Sequence, residues 1–310
     1  MLEVLKILLE VVIGHVLLIY YLLEGFIRAI LPGSLFAKDV KGQKVLITGA
    51  GSGLGQLMSE EFAKLGCVLV LWDVNENGLQ ETVEMCKNQG AKCVSYTIDL
   101  CNREKVYELA DKVKRDVGDI DILINNAGIV TGKKLLNCPD HLIQKTMDVN
   151  VMCHFWTVKS FLPSMLSRDH GHIVTIASAA GFTGTSGLVD YCASKFAAVG
   201  FDESLRNELY AMGKSGVKTT VVCPTYISTG MFTGARTRFD AVTPMLKPDY
   251  VVYKIVNAVL TNQEMLVLPR FMYFAYGIKG MLPIKFGLKL AKFVGGTTSM
   301  DEFKGRNKQD

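Results

Sequence analysis

The chain has 310 residues, 49% of them hydrophobic and 21% charged, with a formal net charge of +4. This size and composition allow one α/β domain plus a more apolar segment, and so weak a positive charge argues against a nucleic-acid partner. The eight cysteines contain no Cys-x-x-Cys pair and no metal-ligand cluster, and no Asn-x-Ser/Thr glycosylation sequence occurs. We therefore expect reduced thiols, no metal site and a domain that faces the cytosol.

Residues 1–31 predict a separate apolar helix. Its longest uncharged run, 11–23, is shorter than the roughly 17–25 residues that a spanning helix needs. Its charged residues all fall within an arc of about 60° on a helical wheel; they are Glu3, Lys6, Glu10, Glu24 and Arg28. We expect a hydrophobic membrane anchor that lies in the interface or is tilted. The alternative is an amphipathic helix packed on the protein's own core. A basic linker, 32–43, follows and favours the cytosolic side of a membrane.

From residue 44 to residue 268, short apolar runs alternate with helical stretches, a pattern typical of parallel βαβ units. The first strand leads into Thr-Gly-Ala-Gly-Ser-Gly-Leu-Gly at 48–55, whose glycines permit a tight turn and the close approach of a pyrophosphate. The second strand ends at Asp73, eighteen residues past Gly55, where a carboxylate can accept from a ribose 2′-OH. These features predict a dinucleotide site. Asp73 favours NAD over NADP because it would repel a 2′-phosphate.

Further repeats continue the alternation of strands and helices. The predicted elements are a helix at 79–88, a strand at 93–98, a helix at 106–117, a strand at 121–124 and a helix containing 147–150. An apolar helix through Trp156 and Phe161 follows, and it is too apolar for a surface helix. We expect it to pack against the next helix or against a partner subunit.

A tyrosine and a lysine, Tyr191 and Lys195, are spaced four residues apart and share one face of a predicted helix. A tyrosine hydroxyl is a poor base near neutrality unless a fixed positive charge stabilises its phenolate. Ser178 ends the apolar run 172–177 and is placed to direct a hydroxyl at the same substrate oxygen. A surface Tyr and Lys on an amphipathic helix is the alternative. The other motifs, in their order along the chain, favour a catalytic site.

With these motifs in place, the chain resembles the short-chain dehydrogenase/reductase family over about residues 41–268, and most closely its membrane-associated 16C branch. The matching pieces are the glycine loop at 48–55, Asp-Leu at 99–100, Asn-Asn-Ala-Gly at 125–128, Asn150, Ser178, Tyr191, Lys195 and Cys-Pro-Thr-Tyr-Ile-Ser-Thr at 223–229. One departure is Thr225, where the family usually has glycine. The resemblance implies a Rossmann-like, doubly wound parallel sheet in a single domain.

The resemblance also implies roles for the catalytic residues. Tyr191 takes the proton of a substrate hydroxyl while a hydride passes to NAD, and Lys195 lowers the Tyr191 pKa and holds the ribose. Ser178 positions the oxygen, and Asn150 connects Lys195 to solvent through a water molecule. The cofactor-binding residues implied are Gly49, Ser52, Gly53, Leu54, Gly55, Asp73, Asp99, Leu100, Asn126, Ala127, Gly128, Tyr191, Lys195, Pro224, Ile227 and Thr229. The helices near Trp156 and Lys195 would form a homodimer face.

The stretch 226–250, where this family builds its substrate wall, is mainly apolar through Met231, Phe232, Phe239, Val242, Met245 and Leu246. This composition predicts a lipophilic alcohol or ketone as substrate, because no fixed charge is placed to pair with a carboxylate or phosphate. The resemblance ranks oxidation of all-trans-retinol to retinaldehyde ahead of a 17β-hydroxysteroid. The alternative of another class is a membrane or lipid-droplet scaffold with little turnover.

The C-terminal part, 269–310, has no acidic residue before Asp301 and places Lys285, Lys289 and Lys292 on one helical face. This basic amphipathic pattern predicts contact with anionic lipid, and the alternative is a lid over the substrate pocket. The resemblance implies attachment to the endoplasmic reticulum membrane or to a lipid droplet, with the catalytic domain in the cytosol.

Overall fold

The computed structural model describes residues 2–31, 33–239 and 244–305. The chain divides into two units, Met1–Asp39 and Val40–Asp310. The first unit consists of helix α1, Leu2–Ile30, followed by a short 3₁₀ turn at Gly33–Phe36. A helix is therefore present where the apolar segment predicts one. Over the described residues, no helix is both long enough and apolar enough to cross a membrane.

The second unit is built on a parallel sheet of seven strands in the order β3-β2-β1-β4-β5-β6-β7. The strands are β1 Lys44–Thr48, β2 Val68–Asp73, β3 Cys93–Thr97, β4 Ile122–Asn125, β5 Gly171–Ile176, β6 Val217–Pro224 and β7 Met265–Leu268. Strands β4 and β5 are buried along their whole length, which explains their nearly continuous apolar sequences. The strand order reverses between β1 and β4, and a crevice forms at the carboxyl ends there.

Nine helices complete the described part of the second unit. They are α2 Gly53–Lys64, α3 Glu76–Asn88, α4 Arg103–Asp116, α5 Asp140–Met147, α6 Cys153–Arg168, α7 Val189–Ala211, α8 Pro248–Leu260, α9 Met272–Lys279 and α10 Ile284–Phe293. Side chains of α2, α3 and α8 share one apolar core with the sheet, and those of α4, α6 and α7 share another. The predicted doubly wound sheet is thus confirmed.

Local sequence accounts for where several helices begin. The Asn75 side chain accepts from the backbone N–H of Gly78 at 3.2 Å, and the Asn102 side chain accepts from that of Lys105 at 3.0 Å. Each asparagine satisfies a donor that the first turn of a helix leaves unpaired. Both caps follow strands that end at the same edge of the sheet.

The apolar helix predicted through Trp156 is α6, and it packs on α7. The rings of Phe155 and Phe201 meet edge to face, with centroids 4.8 Å apart, and His154 contacts Phe201 in the same way. Of the two partners expected for this helix, the helix that carries Tyr191 is confirmed. All eight cysteines are free thiols, and six of them are buried.

Candidate active site

The glycine loop at 48–55 joins β1 to α2 and turns within a few residues. Gly49 and Gly53 have φ of +65° and +58°, a left-handed conformation that favours glycine. A Cβ atom at Gly55 would lie 2.0 Å from the carbonyl oxygen of Gly49, so only glycine fits this position. The loop therefore presents backbone rather than side chains at the start of α2, where N–H groups favour an anionic ligand.

The Asn-Asn-Ala-Gly turn after β4 holds this loop in place. The Thr48 hydroxyl accepts from the backbone N–H groups of Asn126 and Ala127 at 3.0 and 3.1 Å. The Asn126 amide donates to the carbonyl oxygens of Thr48 and Gly49 at 2.9 and 3.1 Å. Thr48 opens the predicted glycine loop, but sequence reasoning assigned its side chain no role in the site. Its signal was its place at the end of β1, beside β4 in a parallel sheet.

Asp73, predicted to accept from a ribose, ends β2 beside the same loop. Its Oδ2 accepts from the Gly51 N–H at 2.8 Å, and its Oδ1 accepts from the Asn75 N–H at 2.9 Å. A carboxylate has about four lone-pair sites, so both oxygens retain capacity for a further donor. The carboxylate is thus held with a fixed orientation on the wall of the cavity.

Tyr191 and Lys195 lie in the first two turns of α7, and both are buried. Lys195 Nζ donates to the carbonyl oxygen of Ile176 at 2.8 Å and lies 5.7 Å from the centroid of the Tyr191 ring. Burial lowers the pKa of Lys195 to about 8, because an ammonium ion is poorly solvated there. The two side chains share one face of the helix, as their spacing predicts.

The pKa of Tyr191 is raised above its ordinary value, chiefly by burial, and the Ser178 hydroxyl opposes the rise. This direction differs from the expectation that Lys195 lowers it. The physical reason is that the phenol lies among apolar groups, with the Phe232 ring centroid 5.7 Å away, and these disfavour a phenolate. That Lys195 lowers the pKa of Tyr191 during turnover therefore stays a prediction.

Ser178 follows β5 and is buried beside Tyr191. Its hydroxyl donates to the carbonyl oxygen of Pro224 at 3.2 Å and accepts from the N–H of Ala180 at 3.1 Å. These two bonds fix the oxygen between the ends of β5 and β6. The serine and tyrosine oxygens therefore converge on one region of the cavity, as the sequence predicts.

Asn150 lies on a π-helical turn, Asp148–Met152, between α5 and α6. Its Oδ1 accepts from the Ile129 N–H at 2.8 Å, and its Nδ2 donates to Ile129 O at 3.0 Å and to Ser194 Oγ at 2.9 Å. This side chain ties the loop after β4 to α7 one residue before Lys195. Its geometry is that of a positioning residue, and the water relay to Lys195 stays a prediction. Interruptions of this kind are frequent at functional sites.

A cavity of about 500 Å³ opens at the carboxyl ends of the strands. The predicted residues that line it are Gly49, Ser52, Leu54, Asp73, Asp99, Leu100, Asn126, Ala127, Gly128, Ser178, Tyr191, Lys195, Pro224, Ile227 and Thr229. Gly53, Gly55 and Asn150 do not line it, because the glycines shape the turn behind the wall and the asparagine is fully buried. The structure thus brings motifs from seven parts of the chain to one cavity.

The predicted substrate wall is only partly at the cavity. Met231 and Phe232 line it. Leu246 belongs to the core, Met245 is exposed, and the ring centroids of Phe239 and Phe293 lie 5.4 Å apart. None of these three residues lines the cavity. Val242 lies outside the described residues.

Sequence reasoning missed several lining residues near the C-terminus. Met272 of α9 and residues 294–296 and 299 line the cavity, whereas no residue of α10 does. Thr225, where the family usually has glycine, also lines it, and its buried hydroxyl has no hydrogen-bond partner among the described residues. Only the fold brings the C-terminal residues here, so no local pattern marks them.

A family model described as short chain dehydrogenase matches residues 43–239. The chain therefore belongs to the short-chain dehydrogenase family, and its fold and site define it as an oxidoreductase. Its relatives place it in the 16C branch. It is 51% identical to human (Homo sapiens) epidermal retinol dehydrogenase 2, with 94% of each chain covered. It is 48% identical to short-chain dehydrogenase/reductase family 16C member 6 of Bos taurus, with 94% of this chain and 92% of that one covered.

A third relative, retinol dehydrogenase 10-A of Xenopus laevis, is 43% identical, with 97% of each chain covered. Among solved structures, a short chain dehydrogenase/reductase from Burkholderia phymatum in complex with NAD superposes with a TM-score of 0.71 at 27% identity. That match covers 81% of this chain and 96% of the other. The resemblance inferred from the motifs is thus confirmed.

Proposed function

We propose that this protein is an NAD-dependent oxidoreductase that oxidises a lipophilic alcohol, with all-trans-retinol to retinaldehyde as its main reaction. The observation that carries the proposal is the convergence of Tyr191, Ser178 and Lys195 on a cavity walled by apolar side chains such as Phe232. Two of the three relatives described above are named retinol dehydrogenases, and this supports retinol as the substrate. A 17β-hydroxysteroid is the second candidate, because an apolar cavity discriminates between such shapes only modestly.

The residues present fit a nicotinamide dinucleotide. Backbone N–H groups at the start of α2 would hold the pyrophosphate, Asp73 the adenine ribose and Lys195 the nicotinamide ribose. NAD, when bound, supplies the hydride acceptor. Asp73 favours NAD over NADP, because its fixed carboxylate would repel a 2′-phosphate.

The chain's own side chains manage the proton of the alcohol. Tyr191 accepts it. The Ser178 hydroxyl, which in this structure donates to the carbonyl oxygen of Pro224, turns to donate to the substrate oxygen and so fixes its direction. Burial opposes the phenolate form of Tyr191, so the ammonium group of Lys195 is required to make proton transfer favourable. Asn150 maintains the spacing between α7 and the loop after β4 on which this geometry depends.

The test of this proposal uses membranes that contain the expressed full-length protein, supplied with NAD and all-trans-retinol. Retinaldehyde should form. The Tyr191→Phe variant should form it at least about 100-fold more slowly but should still bind NADH, because the substitution removes only the acid/base oxygen. Oxidation of estradiol with none of retinol would reverse the ranking of substrates. NADH binding without turnover of either alcohol would favour the scaffold alternative.

We also propose that the protein attaches to the cytosolic face of the endoplasmic reticulum, or to lipid droplets, as a homodimer. In α1, Glu3, Lys6, Glu10 and Glu24 are spaced to fall on one face, which supports an interfacial or tilted helix. In α10, Lys285 and Lys289 are spaced for one face, and large apolar side chains such as Leu288 are exposed. Exposed aromatic rings on α6 and α7, at Phe155 and Phe196, support the dimer face.

A further inference from the structure

We propose that residues 294–305, here called the C-terminal strap, form the outer wall of the substrate end of the cavity and set its preference for long apolar alcohols. This inference rests on the proposed function and deepens it. The strap follows α10 and lies on the loop that carries Phe232. Residues 294–296 and Ser299 line the cavity, whereas Met300 and Phe303 pack behind the lining residues, in the same cluster as Tyr226 and Phe232.

Backbone hydrogen bonds tie the strap to the loop after β6 at two places. The Arg236 N–H donates to Ser299 O at 2.9 Å, and the Lys304 N–H donates to Thr233 O at 2.9 Å. Arg236 and Glu302 also form an ion pair at 2.9 Å, but both side chains are exposed, so this pair adds little to the stability of the contact. The middle of the strap is therefore held across the loop by bonds that do not depend on exposed side chains.

Three glycines in three different loops leave room for the strap. A Cβ atom at Gly132 would lie 2.1 Å from the ring of Phe303, and one at Gly234 would lie 2.1 Å from the carbonyl oxygen of Glu302. At Gly187 the Cβ position is 3.2 Å from Met300 Cβ. All three glycines also have positive φ, between +65° and +87°. The strap is thus fitted into the surface around the cavity, so its position is specified by packing from several sides.

The strap reaches the catalytic tyrosine through one layer of aromatic rings. The ring centroid of Phe232 lies 5.7 Å from that of Tyr191, 5.2 Å from that of Tyr226 and 6.5 Å from that of Phe303. Ser299 Oγ lies 3.2 Å from the Tyr226 hydroxyl oxygen, and Ser299 is 4% exposed. Phe303 and Ser299 therefore hold in place the two aromatic residues that separate Tyr191 from the outside.

This arrangement predicts how the strap acts on different substrates. A short alcohol needs contact only with Tyr191 and Ser178, so the outer wall does not affect its binding. A long apolar alcohol extends along the cavity to the wall, where burial of its chain stabilises the complex. Loss of the wall should therefore raise the KM for long substrates and leave kcat, and the KM for short ones, unchanged.

The experiment compares full-length wild type with Phe303→Ala and Ser299→Ala over a series of primary alcohols from butanol to dodecanol, with all-trans-retinol added. We expect Phe303→Ala to raise the KM for dodecanol and retinol about 10-fold or more, and the KM for butanol less than about twofold. Tyr253→Ala, at an exposed position on α8 that does not line the cavity, is the matched control and should behave like wild type. An equal change for short and long alcohols, or no change for either, would overturn the proposal.

A double-mutant cycle with Tyr226→Phe and Ser299→Ala tests the contact at the wall. Because the hydroxyl pair acts as one unit, the double variant should raise the KM for long alcohols no more than either single variant does. If the increase in KM in the double variant equals the product of the increases in the two single variants, the residues act independently, and this part of the proposal is contradicted. Unchanged NADH affinity in all variants would show that the dinucleotide end is intact.

A binding measurement separates failure of the strap proposal from failure of the proposed function. If wild type oxidises no alcohol, the proposed function fails, and the strap is then tested by cis-parinaric acid, a fluorescent polyene, in the presence of NADH. About 10-fold weaker binding by Phe303→Ala than by Tyr253→Ala would support the strap as the cavity wall. Equal binding by the two variants would overturn it. A thermal melt close to wild type ensures that each variant is folded.

Discussion

At the scale of single residues, the structure adds a second role for Asp73 to the one that the sequence predicts. Its negative charge predicts a preference for NAD, and its two carboxylate oxygens also accept hydrogen bonds from the N–H groups of Gly51 and Asn75. Asp73→Asn removes the charge and keeps one carbonyl oxygen as an acceptor. The carboxylate thus orders the loop, and we expect it also to discriminate between the two cofactors.

We expect wild type to prefer NAD(H) over NADP(H). In Asp73→Asn the ratio of kcat/KM for NAD(H) to kcat/KM for NADP(H) should fall by about 10-fold or more, because repulsion of the 2′-phosphate is lost. The measurement is kcat/KM for each cofactor at a fixed concentration of retinol. A wild-type preference for NADP(H), or an unchanged ratio in the variant, would show that Asp73 does not select the cofactor.

The lowered pKa of Lys195 predicts that the free energy of unfolding depends on pH. Burial lowers its pKa from the ordinary 10.5 to about 8, so between these values the unfolded chain binds more protons than the folded one. Stability from this group therefore rises with pH from about 8 to 10.5, by about 3 kcal/mol at most. Below pH 8 the buried ammonium ion costs free energy.

The prediction is tested by thermal unfolding of wild type and Lys195→Met between pH 7 and pH 10. At pH 7 the variant should have the higher melting temperature, because methionine carries no buried charge. The difference in melting temperature should shrink as the pH rises and Lys195 loses its proton. An advantage that does not depend on pH would show that Lys195 does not titrate in this window. The variant should also be inactive, since the charge beside Tyr191 is gone.

At the scale of elements, we expect α1 to be separable from the catalytic unit. The sheet begins at Lys44, and the second compact unit begins at Val40. We expect a chain lacking residues 2–31 to keep the NADH affinity and melting temperature of the full-length protein, and to bind membranes less. The readouts are flotation with vesicles containing anionic lipid and thermal unfolding.

The control for this deletion is a soluble reporter fused to residues 1–31. The fusion should float with vesicles, whereas the reporter alone should not. Residual binding of the truncated enzyme is expected, because α10 offers exposed apolar and basic side chains. If the truncated enzyme distributes like the full chain and the fusion stays soluble, α1 is not an anchor.

Element types were predictable where the pattern is local and long. Strands β1 to β5 and the helices from α2 to α7 were predicted from apolar runs, helical periodicity and glycine turns. The π-helical turn at Asp148–Met152 was not predictable, since one wider turn leaves no mark in the apolar period. Its effect is nevertheless large, because it aims Asn150 at Ile129 and Ser194.

At the scale of the whole molecule, the reversal of strand order between β1 and β4 brings distant motifs together. The glycine loop, the Asn-Asn-Ala-Gly turn and the segments carrying Ser178 and Tyr191 all follow carboxyl ends of strands, and parallel strands place those ends at one edge. This is why a chain of separate short motifs forms one cavity. The strap joins the same cavity from the far end of the chain.

The sequence by itself determined the family, the sheet, and the residues that meet at Tyr191, because each depends on spacing within a few residues or on motif order. The four-residue spacing of Tyr191 and Lys195 is one such local feature. Only the tertiary structure decided the rise of the Tyr191 pKa and the role of Ser299, since burial and the contact with Tyr226 depend on residues far apart in the chain. Burial is a property of the packed molecule, and no local pattern encodes it.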